Sequence, residues 1–143
     1  MKRFIIIILI VLILILLSGT VLYLKFGKKQ LPSVDKQQLK IEKARENAFS
    51  KTVKTNGEGD ALIVDKPTYQ IVYLKKNDQF LISINKSPFE EIRKEAEEEF
   101  RKITQADQEI LCKLNVEVTT PSFANPSLSG KIFPLSFCKT SSQ

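Results

Sequence analysis

The chain has 143 residues, of which 22 are Lys or Arg and 16 Asp or Glu, with no histidine and a formal net charge of +6. Without histidine, imidazole-assisted serine or cysteine nucleophiles and almost every catalytic zinc site are excluded. The charge is also unevenly spread: residues 1–24 contribute +2, residues 25–54 hold nine bases against three acids, and residues 55–143 hold eleven bases against thirteen acids. The excess positive charge therefore flanks the folded part, which is mildly acidic and has little electrostatic motive to bind nucleic acid.

The first element is an uncharged run from Phe4 to Leu24, 21 residues. At the helical rise it spans roughly 31 Å, the thickness of a bilayer's hydrocarbon core, which predicts a single transmembrane helix. Met1-Lys2-Arg3 and Ser18-Gly19-Thr20 would also suit a cleaved signal peptide, but the apolar character runs on to Lys25, past the length of a signal core, so an uncleaved signal-anchor is the better fit. Leu17-Ser18-Gly19-Thr20 has a threonine where a lipobox needs its acylated cysteine, and no Gly-Phe processing site of a type IV pilin is present.

Two signals bear on orientation. Lys25, Lys28, Lys29, Lys36, Lys40 and Lys43 follow the span, against Lys2 and Arg3 before it, and a bare positive-inside count puts the domain in the cytoplasm. Cys112 and Cys138 point the other way, since such pairs persist as disulfides in oxidising compartments, and an N-terminal span translocates a long domain largely regardless of its charge. The expectation is an amino terminus inside the cell and a domain outside it, in the cell membrane.

Residues 25–55 read as a basic juxtamembrane stalk with Ile41, Ala44 and Ala48 at helical spacing, a stripe too narrow and short for a coiled coil. Either the stalk lies on anionic headgroups, so that membrane lipid is contacted by residues 4–24 and by the stalk, or it is a solvated spacer. Asn56-Gly57-Glu58-Gly59-Asp60 is the strongest breaker and marks the predicted boundary of a small domain over 56–143.

Within that domain, Tyr69–Leu74 and Phe80–Asn85 are β-branched and aromatic runs joined by Lys75-Lys76-Asn77-Asp78-Gln79, which predicts a hairpin with Tyr69, Ile71, Tyr73, Phe80, Ile82 and Ile84 on its buried faces. Ala61–Val64 suits a short preceding strand. Ser87-Pro88-Phe89-Glu90 has the form of a capping box, which starts a helix at Pro88. Phe89, Ile92, Ala96, Phe100 and Ile103 make its core stripe, leaving Glu91, Arg93, Lys94, Glu95, Glu97, Glu98, Glu99, Arg101 and Lys102 for the outer surface.

Thr104 with Asp107 can cap a short helix through Glu109–Cys112, and Asn115–Thr120 reads as a strand ended by Pro121. The class is α+β, in the order ββααβ. Pro121, Pro126, Gly130 and Pro134 predict an ordered loop, with Leu135–Cys138 returning to the sheet edge. A Cys112–Cys138 bridge would close this tail with about 3.5 kcal/mol of chain-entropy stabilisation. A reactive thiol pair is the rival reading, weakened by the absence of a Cys-x-x-Cys spacing.

No catalytic, cofactor-binding or metal-ligating residues are assigned. Phosphate-loop and EF-hand patterns are missing, the carboxylates Glu90–Glu99 lie along an amphipathic helix, and the tripeptide Asn85-Lys86-Ser87 is discounted for glycosylation because Pro88 follows it. The segments PFEEIRKEAEEEF, CKLNVEVTTPSFANPSLSG and LSFC, between Pro88 and Cys138, resemble a pattern in small single-span membrane-anchored proteins of candidate-phylum bacteria. The resemblance covers about 50 residues and implies a bacterial source and an anchored domain, with no activity and no site residues attached. The expected function is a protein-interaction or scaffold module of the cell envelope with a protein partner. The alternatives are an extracytoplasmic nucleic-acid binder stacking bases on Tyr69, Tyr73 and Phe80, and a thiol-disulfide oxidoreductase using Cys112 and Cys138.

Overall fold

The computed structural model describes residues 35–138. The predicted span, 4–24, lies outside them, and among the described residues no helix is long and apolar enough to cross a membrane. The class is α+β: three helices and a five-stranded sheet.

The chain enters through α1 (Lys36–Phe49), whose first turn is capped by Asp35 accepting from the Gln37 amide at 3.0 Å. β1 (Lys54–Thr55), β2 (Ala61–Asp65), β3 (Tyr69–Leu74) and β4 (Gln79–Ile84) follow as an antiparallel meander. A bulge between Leu62 and Val64 shifts the β2–β3 register. After α2 (Phe89–Thr104) and α3 (Gln108–Leu111), β5 (Val116–Thr119) pairs in parallel with β4, giving the sheet order β1-β2-β3-β4-β5.

The sequence expectation of a β3–β4 hairpin is met, with a single 3-10 turn at Lys75–Asn77 and Asp78 in the left-handed region at φ 49°. The loop before β2 needs its glycine: Gly59 has φ +87°, and a Cβ there would stand 2.7 Å from the Lys75 side chain. Tyr69, Ile71, Phe80, Ile82 and Ile84 are all buried to 1% exposure or less, and the α2 stripe Phe89, Ile92, Ala96, Phe100 and Ile103 packs onto them. Phe80 and Phe100 meet edge to face at 5.1 Å.

Three expectations change. The folded domain does not begin at residue 56: among the described residues α1 already belongs to the same compact unit as the sheet and the later helices, because Ala44 and Ala48 are buried and Asn47 Nδ2 donates to the Thr104 carbonyl at 2.9 Å. Small alanines let the two helices approach closely, and an alanine stripe is faint in a hydropathy reading. Second, α2 begins at Phe89 with Pro88 at its cap and no side-chain cap bond, since the Ser87 hydroxyl is turned to the loop at Ala124 and Asn125. Third, Thr104 ends α2 and donates back to the Phe100 carbonyl at 2.8 Å; Asp107 alone caps α3, accepting from the Ile110 amide at 3.0 Å.

At the β2–β3 turn, Lys66 Nζ donates to the Tyr69 hydroxyl at 2.6 Å and lies 3.8 and 3.7 Å from Glu95 and Glu99 of α2. The bond with Tyr69 holds the Lys66 ammonium above its ordinary pKa, and burial raises the phenols of Tyr69 and Tyr73 above theirs. All three groups hold protons more tightly in the folded chain, so the unfolded chain sheds them first as pH climbs past the ordinary tyrosine value near 10, and stability present below that pH declines above it. The urea midpoint, followed by circular dichroism, should therefore fall between pH 9 and 11, and Tyr69→Phe should flatten that fall; an unchanged slope would place the alkaline sensitivity elsewhere.

Candidate functional site

One ridge of α2 binds the C-terminal part of the chain. Phe89, Arg93, Glu97 and Arg101 recur every four residues and so stand one above another on the helix. Each touches the strap 133–138 as it passes. Phe89 packs on Phe133 with ring centroids 5.0 Å apart, and the Arg93 guanidinium lies 5.4 Å from the Phe133 ring while donating to the Pro134 carbonyl. Glu97 accepts from Arg93 Nε at 2.9 Å, from the Ser136 amide at 2.8 Å and from the Ser136 hydroxyl. Arg101 covers Phe137 at 4.6 Å. Arg93 and Glu97 are 8% and 2% exposed, which corrects their expected place on the outer surface.

The strap also meets the sheet, although not where expected. Phe133, rather than Leu135–Cys138, makes the contact, exchanging two backbone bonds of 2.8 and 2.9 Å with Val118 on the outer edge of β5. Leu135 is 2% exposed and fills the core instead. Beyond it Gln108 Nε2 donates to the Phe137 carbonyl at 2.7 Å, and Cys138 is bonded to Cys112 with Cα atoms 5.6 Å apart.

Between β5 and the strap, the loop 121–132 is held at its base by a closed polar network. Thr120 Oγ1 donates to the Ile84 carbonyl at 2.7 Å, and Asn125 Nδ2 donates to Thr120 Oγ1 and to the Lys86 carbonyl at 2.9 and 3.2 Å. The Ser87 hydroxyl is shared between Asn125 Oδ1 at 2.7 Å and the Ala124 carbonyl at 2.9 Å. Thr120 and Asn125 are buried, and no buried side-chain polar atom among the described residues lacks a partner. Successive turns through Pro121, Asn125 and Leu128 carry the backbone, as the proline and glycine content predicted. On this ordered frame Phe123 is 80% exposed and Ile132 63% exposed.

The residues singled out by sequence are placed as follows. Cys112 and Cys138 are joined and neither thiol is free. Tyr69 and Phe80 are fully buried, so two of the three rings of the proposed stacking platform are core, while Tyr73 is half-buried and packs against Phe49 at 4.7 Å and Phe80 at 5.2 Å. The hollow between α1 and α3, about 200 Å³, is lined by Lys40, Lys43, Asn47 and Asp107, whose carboxylate already lies 3.6 Å from Lys40. Among the described residues no cluster of acids and cysteines is placed to hold a metal ion. Sequence reasoning missed the ridge and the Ser87–Asn125 network; the four-residue recurrence from Phe89 to Arg101 was its one available signal.

No family model, no curated protein and no solved structure matches the chain. Nothing in these comparisons points to an enzymatic activity.

The strap's two fastenings should be separable. Reduction of the disulfide should raise hydrogen exchange across 133–138 while α2 and the β3–β4 hairpin stay protected. Glu97→Ala in the oxidised protein leaves Arg93 with only the exposed Glu90 carboxylate, 3.6 Å away, and should cost about 3 kcal/mol, whereas the double change Arg93→Met, Glu97→Leu should recover most of that loss. Equal losses for the single and double variants in urea titrations would deny the pair its organising role.

Proposed function

We propose that the protein is a membrane-anchored protein-interaction module of the cell envelope and that the loop 121–132 is its recognition surface. The observation behind this reading is the exposure of Phe123 and Ile132 on a loop whose base is fully bonded. Isolated exposed apolar side chains are ordinary on a flexible loop, but one held in place offers an aromatic anchor at a low entropic cost to binding. The anchor is the apolar run 4–24, and an extracytoplasmic domain agrees with a disulfide that pins the tail. The basic segment 25–34 would lie near anionic headgroups in this arrangement.

Nucleic-acid binding is the weaker reading because Tyr69 and Phe80 are buried, and thiol-disulfide exchange is weaker because both sulfurs are committed to holding the strap. The test is cross-linking and co-purification of the full-length protein extracted from its own membranes. Phe123→Asp with Ile132→Asp should lose the partner that the unaltered protein retains, with an unchanged thermal midpoint. Undiminished recovery of that partner would remove the loop from the proposal. For the location, a reporter active only in the cytoplasm, fused after Gln143, should be silent, and a strong signal would overturn the extracytoplasmic assignment.

A further inference from the structure

The sheet has a second face, turned away from the helices that pack on β3 and β4, and one register row crosses all of it. Lys54 pairs with Leu62, Leu62 with Val72, Val72 with Leu81, and Leu81 with Glu117. Directly opposite residues project to the same side of a sheet, so these five form a line with a cation at one end, a carboxylate at the other and three apolar side chains between them. At the usual strand spacing the line is roughly 19 Å long. On one side the neighbouring row, Asp65, Gln70, Ser83 and Thr119, is polar; on the other lie Leu74 and Gln79.

Leu62, Val72 and Leu81 are each partly exposed. A hollow of about 180 Å³ opens beside Leu62 and Val72, bordered by Lys54, Thr55, Asn56 and Asp60. Neither Lys54 nor Glu117 takes part in an ion pair among the described residues.

We propose that this face pairs with the same face of a second copy of the chain. The polarity of the row selects that occupant, because the row is complementary to itself when reversed. A two-fold axis lying between the sheets and parallel to the strands turns one row end for end over the other. Lys54 then meets Glu117 at both ends, Leu62 meets Leu81 twice, and Val72 sits on the axis against its own counterpart. A two-fold axis across the strands would instead stack Lys54 on Lys54 and Glu117 on Glu117, a like-charge juxtaposition that rejects that arrangement. The strands run aligned in the favoured geometry, as in face-to-face sheet packing, where the sheets stand about 10 Å apart. The hollow beside Leu62 receives Leu81 of the second copy. None of the loop residues 121–132 is used, so this inference stands or falls separately from the loop reading.

The experiment is sedimentation of the full-length protein in detergent, combined with cysteine cross-linking. The unaltered protein should be a dimer; Lys54→Glu and Glu117→Lys should each weaken it about tenfold or more, and the two together should restore it to within about threefold. Val72→Cys should join to its counterpart on mild oxidation, whereas Glu117→Cys, separated from its own counterpart by the length of the row, should not. A monomer overturns the proposal. So does a dimer indifferent to both charge reversals in which Val72→Cys fails to cross-link, because its interface lies elsewhere, and so does a monomer whose Val72→Cys resists alkylation, because the row is then covered by the chain itself.

Discussion

The Glu97 carboxylate, gripped by Arg93 on one side and by the amide and hydroxyl of Ser136 on the other, is the contact on which the placement of the last part of the chain depends. Withdrawing two charges from water costs several kcal/mol per ion, and their attraction offsets this only when the remaining lone pairs and protons are also satisfied. Here Arg93 is bonded to Glu97 and Pro134 and lies 3.6 Å from the Glu90 carboxylate, and both Glu97 oxygens accept from the strap. An apolar ridge would bury as much surface at lower cost, but it would hold the strap in many registers. Ser136 has one place to go.

The same helix carries a second packing surface, which shares Phe89 with the ridge. Its apolar stripe lies on β3 and β4, with Phe100 against Phe80, while the polar ridge faces outward to the strap. Because α2 is fixed by the sheet, the ridge is fixed too, and the strap inherits its position. The strap in turn closes the end of the loop that begins at Pro121, whose other end is secured by Thr120 and Asn125. Rigidity thus passes from core to helix to strap to loop, and Phe123 stands at the last step of this chain of supports.

The parts of this architecture written in periodicity were legible. The α2 stripe repeats at helical spacing, the hairpin alternates, Asp107 caps as its position predicts, and the two cysteines of a domain small enough to benefit from a staple are bonded. What stayed hidden depends on partners distant in sequence. Arg93 and Glu97 are charged residues at positions off the apolar stripe, and only the strap, 41 and 39 residues later, turns those positions into interior ones. Helix α1 reads from sequence as part of a stalk, on the membrane surface or as a spacer, because its buried residues are alanines, whose contribution is close approach rather than hydrophobic mass. Ser87 reads from sequence as a cap because capping is the local use of a serine before a helix, whereas the side chain serves a loop 38 residues away.

The parallel pairing of β4 with β5 sets an order of assembly. Antiparallel neighbours joined by a tight turn can form from local contacts, but β5 can reach β4 only after α2 and α3 have laid the chain back across the sheet. Until then the β4 edge presents unpaired amides and carbonyls beside Phe80 and Ile82, the kind of edge that recruits strands from other molecules. A nascent chain interrupted before Val116 would therefore keep a sticky border that β5 covers in the finished protein.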